Sequence, residues 1–177
     1  MYRNNKWICK NILIMTLLEL VKQFEGCKLI AYKCPAGKWT IGYGSTYYLD
    51  GSPIQEGDKI TQEDAEIMLS KTLDNYRTQI MRFIPSSLPQ GAIDALTSFA
   101  YNCGVAALQK STLLKKIKAN KLDLKGIEAE FMKWVKGGNK TLPGLVRRRA
   151  AEYKMYSEAI LNQYSRYELL YMEPPTK

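Results

Sequence analysis

Phe24-Glu25-Gly26-Cys27-Lys28-Leu29-Ile30-Ala31-Tyr32-Lys33-Cys34-Pro35-Ala36-Gly37-Lys38-Trp39-Thr40-Ile41-Gly42-Tyr43-Gly44 is the stretch in which the chain changes its periodicity. Upstream, Ile12, Leu13, Leu17, Leu20, Val21 and Phe24 recur at helical spacing and predict an amphipathic helix over Ile12 to Phe24. Gly26 is the expected stop, because glycine accepts the left-handed conformation that often ends a helix. Leu29 to Tyr32 is then short and apolar, and Pro35-Ala36-Gly37 is turn chemistry. Trp39, Ile41 and Tyr43 alternate with Thr40 and Gly42, the period of a half-buried strand. Thr46 to Leu49 adds a further candidate strand, and Asp50-Gly51 a turn. Residues 28–58 therefore predict a small, twisted antiparallel sheet.

Everything downstream has a helical period. Thr61-Gln62-Glu63-Asp64 has the form of a capping box, after which Ala65, Met68, Leu69, Thr72, Leu73, Tyr76 and Ile80 mark one face of a long helix. Ile93, Leu96, Phe99 and Ala100, with Ala92 and Ala95 between them, give a helix apolar nearly all round, the pattern of a buried central element. Gly104 is its expected end. Ser111 caps a short helix through Leu113, Leu114 and Ile117, and Leu124, Ile127, Phe131 and Trp134 mark another. Pro143 suits the first turn of a last helix with Val146, Ala150, Tyr153 and Ile160 facing inward. The expected organisation is α+β: an N-terminal arm over 1–11, one domain over 12–161 and a C-terminal tail over 162–177. Within the domain, a sheet lobe (about 28–58) joins a helical lobe (about 88–161) through a connecting helix (about 61–82). A cleft between two such lobes suits an extended ligand.

Composition narrows the chemistry. The chain of 177 residues contains no histidine, which excludes Ser-His-Asp, Cys-His and HExxH sites. Acid–base work then falls to carboxylates, thiols, Lys or Tyr. Cys9, Cys27, Cys34 and Cys103 lack CxxC spacing, so no metal site is expected, and free thiols are the simplest reading. No cofactor is implied. A net charge of +9 favours an anionic partner. The basic residues are dispersed and no nucleic-acid-binding motif is present, so nucleic acid is not the expected partner. No apolar run reaches the ~18–20 residues of a membrane span, and stable membrane insertion is not expected. Arg3, Lys6 and Lys10 before the apolar Ile12 to Leu18 have the outline of an export signal. That run is short, Glu19 interrupts it and no small-residue cleavage site follows.

Glu25 is the first candidate for chemistry. At the C-terminal end of a helix the macrodipole disfavours a second negative charge, and Phe24 would help to desolvate the carboxyl. A carboxyl that keeps its proton near neutral pH can protonate a leaving oxygen. Around Glu25 the sequence has a Glu, eight residues, a Cys, five residues and a Thr, falling on Glu25, Cys34 and Thr40. With the flanking Phe24-Glu25-Gly26, Ala31-Tyr32-Lys33-Cys34-Pro35-Ala36-Gly37 and Trp39-Thr40-Ile41-Gly42-Tyr43-Gly44, this resembles the active-site segment of the phage-type lysozymes, or endolysins, of glycoside hydrolase family 24. Leu142-Pro143-Gly144-Leu145-Val146-Arg147-Arg148-Arg149 with Glu152 is similar to that family's final helix, and Ser98-Phe99-Ala100-Tyr101-Asn102 to its buried central helix.

The resemblance covers roughly Leu17 to Glu158 and implies a lysozyme-like α+β fold. It implies a muramidase that cuts peptidoglycan between N-acetylmuramic acid and N-acetylglucosamine, causing lysis. Glu25 would be the general acid, Thr40 would help hold the attacking water, and Cys34 would orient or activate it. Many members have Asp at the position of Cys34, and His at that of Ser45. Lys33 and the local positive field are the expected means of favouring a Cys34 thiolate. The Cys34 departure keeps two alternatives open: a lytic transglycosylase acting on the same bond, and a catalytically weak wall-binding homologue. Disruption of membranes by the cationic C-terminal part is a further rival. The expected partner is peptidoglycan and the expected state a monomer, held in the host bacterial cytoplasm and released to the wall at lysis. Trp39, Tyr43 and Trp134 read as core, and the Arg147–Arg149 run as pairing with Glu152.

Overall fold

A computed structural model describes the backbone of residues 15–171 and the side chains of residues 15–165. The expected arm, the first residues of the expected first helix and the last residues of the tail lie outside the described residues. The first helix, α1, spans Leu17–Phe24 rather than starting at Ile12. Its start is fixed by Thr16, whose side chain accepts from the Glu19 amide while the Glu19 carboxylate accepts from the Thr16 amide. That is a full capping box, which satisfies donors a helix start would otherwise leave orphaned. The helix does not end through a left-handed glycine. Glu25 is the cap, in an extended conformation at φ −103° and ψ 135°, and Gly26 has no positive φ. The chain runs straight from the helix into a strand, so an extended cap does the turning.

Strands β1 (Lys28–Lys33) and β2 (Trp39–Gly42) form an antiparallel hairpin with Tyr32 opposite Thr40 and Lys33 opposite Trp39. The register slips between Lys28 and Tyr32, a bulge that bends the ribbon. The hairpin closes through the Cys34 amide donating to Lys38 O at 2.9 Å and the Gly37 amide to Cys34 O at 2.8 Å, with Gly37 at φ +77°. The strand expected over Thr46 to Leu49 is not formed. That segment makes a single bridge from Tyr47 to Pro53, since the turn at Asp50-Gly51 folds it back after too few residues to support a ladder.

Helix α2 (Gln62–Ile80) starts at the Thr61–Asp64 capping box and buries Ala65, Met68, Leu69, Leu73 and Ile80. Helix α3 (Gln90–Cys103) is the buried centre and packs on α1, α2 and the final helix. It ends at Gly104, whose φ of +97° few other residues tolerate. Three short helices follow: α4 (Val105–Lys110), α5 (Thr112–Ala119, capped by Ser111) and α6 (Leu124–Phe131). A two-residue ribbon of β3 (Lys136–Gly137) and β4 (Lys140–Thr141) leads into α7 (Pro143–Tyr171), which continues ten residues into the stretch expected to be a tail. The main core lies between α3, α5, α6 and α7, where Phe99 meets Phe131 and Trp134 edge to face at 5.8 and 5.1 Å. Such pairs add about 0.5–1.5 kcal/mol beyond their burial. A smaller core of Leu17, Val21, Tyr43, Ala65, Leu69 and Leu73 joins α1, α2 and the hairpin. Among the described residues no helix is long and apolar enough to cross a membrane.

Candidate active site

Glu25 leaves the end of α1 at the edge of a cleft of about 600 Å³. One wall is the segment Tyr43–Tyr47 after β2. The other is built by Leu69, Thr72 and Tyr76 of α2 with Tyr101 and Asn102 of α3. Hydroxyls, an amide and backbone dominate this lining, which suits a polar, hydroxyl-bearing ligand. The Tyr101 hydroxyl donates to the carbonyl of Tyr43 at 2.9 Å, and so ties the helical wall to the sheet wall. Burial, with the nearby charge of Glu25 adding to it, pushes the Tyr101 hydroxyl up to about 12.

The carboxyl of Glu25 has a charged partner from the far end of the sequence. Arg148 of α7 donates from Nη1 to Glu25 Oε1 at 2.5 Å, across 123 residues of chain. Arg148 is 3 % exposed, lies between the rings of Phe24 and Tyr101, and donates from Nε to Glu152 Oε1 at 3.2 Å. Glu152 is fully buried, and its Oε1 also accepts from Arg149 Nη2 at 2.9 Å and from the Ser98 hydroxyl at 2.7 Å. Arg149 continues outward to Asn102 Oδ1 at 3.0 Å and Cys103 Sγ at 2.9 Å. The expected pairing of the arginine run with Glu152 is present for Arg148 and Arg149, while Arg147 is exposed. The setting argued for Glu25 from dipole and desolvation alone is therefore corrected: the carboxyl faces a buried guanidinium.

Cys34 and Thr40 lie together on the hairpin, not among the residues lining the cleft. Thr40 is 3 % exposed on β2, and its hydroxyl donates to Lys38 O at 3.1 Å. The backbone amides of Lys38 and Ala36, aimed at the sulfur, hold the Cys34 thiol below its ordinary range, and the Thr40 hydroxyl adds to this. The turn supplies this effect in place of the expected Lys33, whose ammonium stands 5.0 Å from the ring centre of Trp39. Cys103 goes the other way: burial pushes its thiol up, against the pull of Arg149. Cys27, Cys34 and Cys103 are free thiols. Arg148 and Tyr101 are the site residues the sequence reading missed. The Arg run was visible, but no local pattern says which arginine turns inward.

Residues 22–152 match the phage lysozyme family. The chain is 42% identical over 146 residues to the endolysin of Acyrthosiphon pisum secondary endosymbiont phage 1, covering 80% of this chain and 95% of that one. Among solved structures it resembles the endolysin from Escherichia coli O157:H7 phage FAHEc1 at a TM-score of 0.68 and 35% identity, over 79% of this chain and 89% of that one. It also resembles a mutant of P22 lysozyme at a TM-score of 0.71 and 28% identity, over 80% and 94% of the two chains. The helical majority, the small hairpin and the cleft between them are the lysozyme-like arrangement expected from the sequence. The chain belongs to the phage lysozyme family, and so is a phage-type endolysin and a glycoside hydrolase.

Proposed function

We propose that the protein is a muramidase that hydrolyses the β-1,4 bond between N-acetylmuramic acid and N-acetylglucosamine in peptidoglycan. The observation that carries this reading is Glu25 at the edge of the cleft, with its carboxyl oriented by the buried Arg148. Glu25 gives its proton to the glycosidic oxygen as the bond from that oxygen to the anomeric carbon breaks. The resemblance gives Cys34 and Thr40 the water that attacks the anomeric carbon, the Cys34 thiolate taking its proton; both stand on the hairpin outside the cleft lining, so this step needs the substrate to reach past Glu25 toward the hairpin turn. The lowered thiol of Cys34 supports this role, since the thiolate is the form that accepts a proton. The net charge of +9 favours approach to an anionic wall. The protein would accumulate in the bacterial cytoplasm and meet its substrate when the membrane is breached.

The test is Glu25→Gln, which keeps the shape and removes the acid. Release of reducing ends from purified wall should fall by about 10²–10⁴-fold, and unchanged lysis would refute the assignment. Mass spectrometry of the parent digest should show hydrated reducing sugars. Anhydro ends would replace hydrolysis by transglycosylation.

A further inference from the structure

We propose that Glu152 is a positioning residue for the Glu25 acid, setting through Arg148 the charge balance in which Glu25 holds its proton. This rests on the assignment of Glu25 as the acid. The geometry is a chain of charges running from the edge of the cleft into the core. Arg148 uses one end of its guanidinium on Glu25 at 2.5 Å and its Nε on Glu152 at 3.2 Å. Arg149, fully buried, approaches the same Glu152 oxygen at 2.9 Å. Arginine does not lose its charge in a protein. Two permanent positive charges therefore sit behind Glu25, and Glu152 is the buried acid that offsets one of them. Without it, both guanidiniums would act on Glu25 and favour its carboxylate, the form that cannot protonate a leaving group.

The fold has kept this acid at a cost. Among the described residues its second oxygen, Oε2, has no hydrogen-bond partner, and neither do Arg148 Nη2 and Arg149 Nε. Burial raises the Glu152 carboxyl above its ordinary range, and Arg149, Ser98 and Arg148 offset only part of this. A buried ion pair is weak evidence for stability, because desolvation offsets much of the attraction. An apolar side chain would fill the same volume, so a role in the charge balance is the better account of a carboxylate there.

The other titratable groups facing the network are Tyr101 and Cys103 on α3, Tyr76 on α2, and Tyr32 and Tyr43 on the hairpin. Tyr101 is pushed up to about 12 and Cys103 is raised, which keeps both neutral where the enzyme would work. On α1 itself, Lys22 is paired with Glu66 of α2.

The experiment is the pH dependence of kcat/KM on wall fragments at constant ionic strength, since its alkaline limb reports loss of the acid's proton. Glu152→Gln should move that limb to lower pH by roughly one unit. Arg149→Met should move it to higher pH, and the double variant should return it close to the parent. Shifts of opposite sign that cancel are not what simple loosening of the core would give. An unmoved limb in folded Glu152→Gln would overturn the proposal. If that variant does not fold, Arg149→Met decides: a limb that stays in place or falls overturns it equally. Activity surviving in Glu25→Gln would instead sink the acid assignment beneath it, so the two failures are distinct.

Discussion

Strand β1, on the sheet side of the cleft, leaves Lys28, Leu29, Ile30 and Lys33 exposed, whereas α3, on the helical side, buries an unbroken run from Ala95 to Ala100. The hairpin is held by a few backbone bonds and a satellite core of Ile41, Ile54 and Met68. The helical side is held by aromatic rings meeting edge to face. The chemistry is divided along the same line. The proposed acid is oriented by α7 and the interior, and the proposed water-activating pair sits on the thinner hairpin. A long-range charge network needs fixed partners, which a packed helical core supplies. A thiolate stabilised by a tight turn needs little more than the turn itself.

This contrast can be broken by measurement. Phe99→Ala should lower stability by about 3–5 kcal/mol in chemical denaturation, because a ring is lost where nothing can collapse into the space; a loss below about 1 kcal/mol would mean the helical lobe is not the rigid partner. The two thiols offer a second handle. Cys34, held down by backbone amides, should be alkylated roughly tenfold or more faster than Cys103, which burial pushes up, as read by peptide mass spectrometry of a timed reaction. Equal rates would remove the electrostatic distinction between the lobes. The smallest effect belongs to Ile30, 58 % exposed on β1. Ile30→Ala should change stability by no more than about 0.5 kcal/mol, and a larger loss would show that the bulged edge carries packing of its own.

Periodicity read the helices well where their buried face is apolar, as in α2, α3 and α5, and the Thr61 and Ser111 caps followed from local chemistry. In α7 it was right for Ile160, which is buried, and for Tyr153, which packs half-buried against the main core, but Ala150 is exposed, and the first turns bury Arg148, Arg149 and Glu152 instead. A hydrophobic pattern cannot find a face whose first turn is ionic. The same blindness hid Arg148 from Glu25, since their contact depends on how α1 and α7 pack and on nothing local to either. The Thr16–Glu19 box was legible but was overlooked because apolar residues continue upstream of it. The strand expected at Thr46 to Leu49 failed for a different reason: β-forming residues do not make a ladder without a long enough neighbour. Glu25, Cys34 and Thr40 were singled out together by the resemblance to the phage-type lysozymes, not by any pattern of charge or hydropathy. The grouping of two on the hairpin and one at the cleft belongs to the third dimension.

The bond from Tyr101 to the Tyr43 carbonyl bears on how the enzyme meets changing surroundings. Its donor keeps its hydrogen until about pH 12, so acidification or mild alkalinity leaves this strut intact. The spacing between the two walls at this point is thus insulated from the medium, while the reactive groups beside it remain responsive to it.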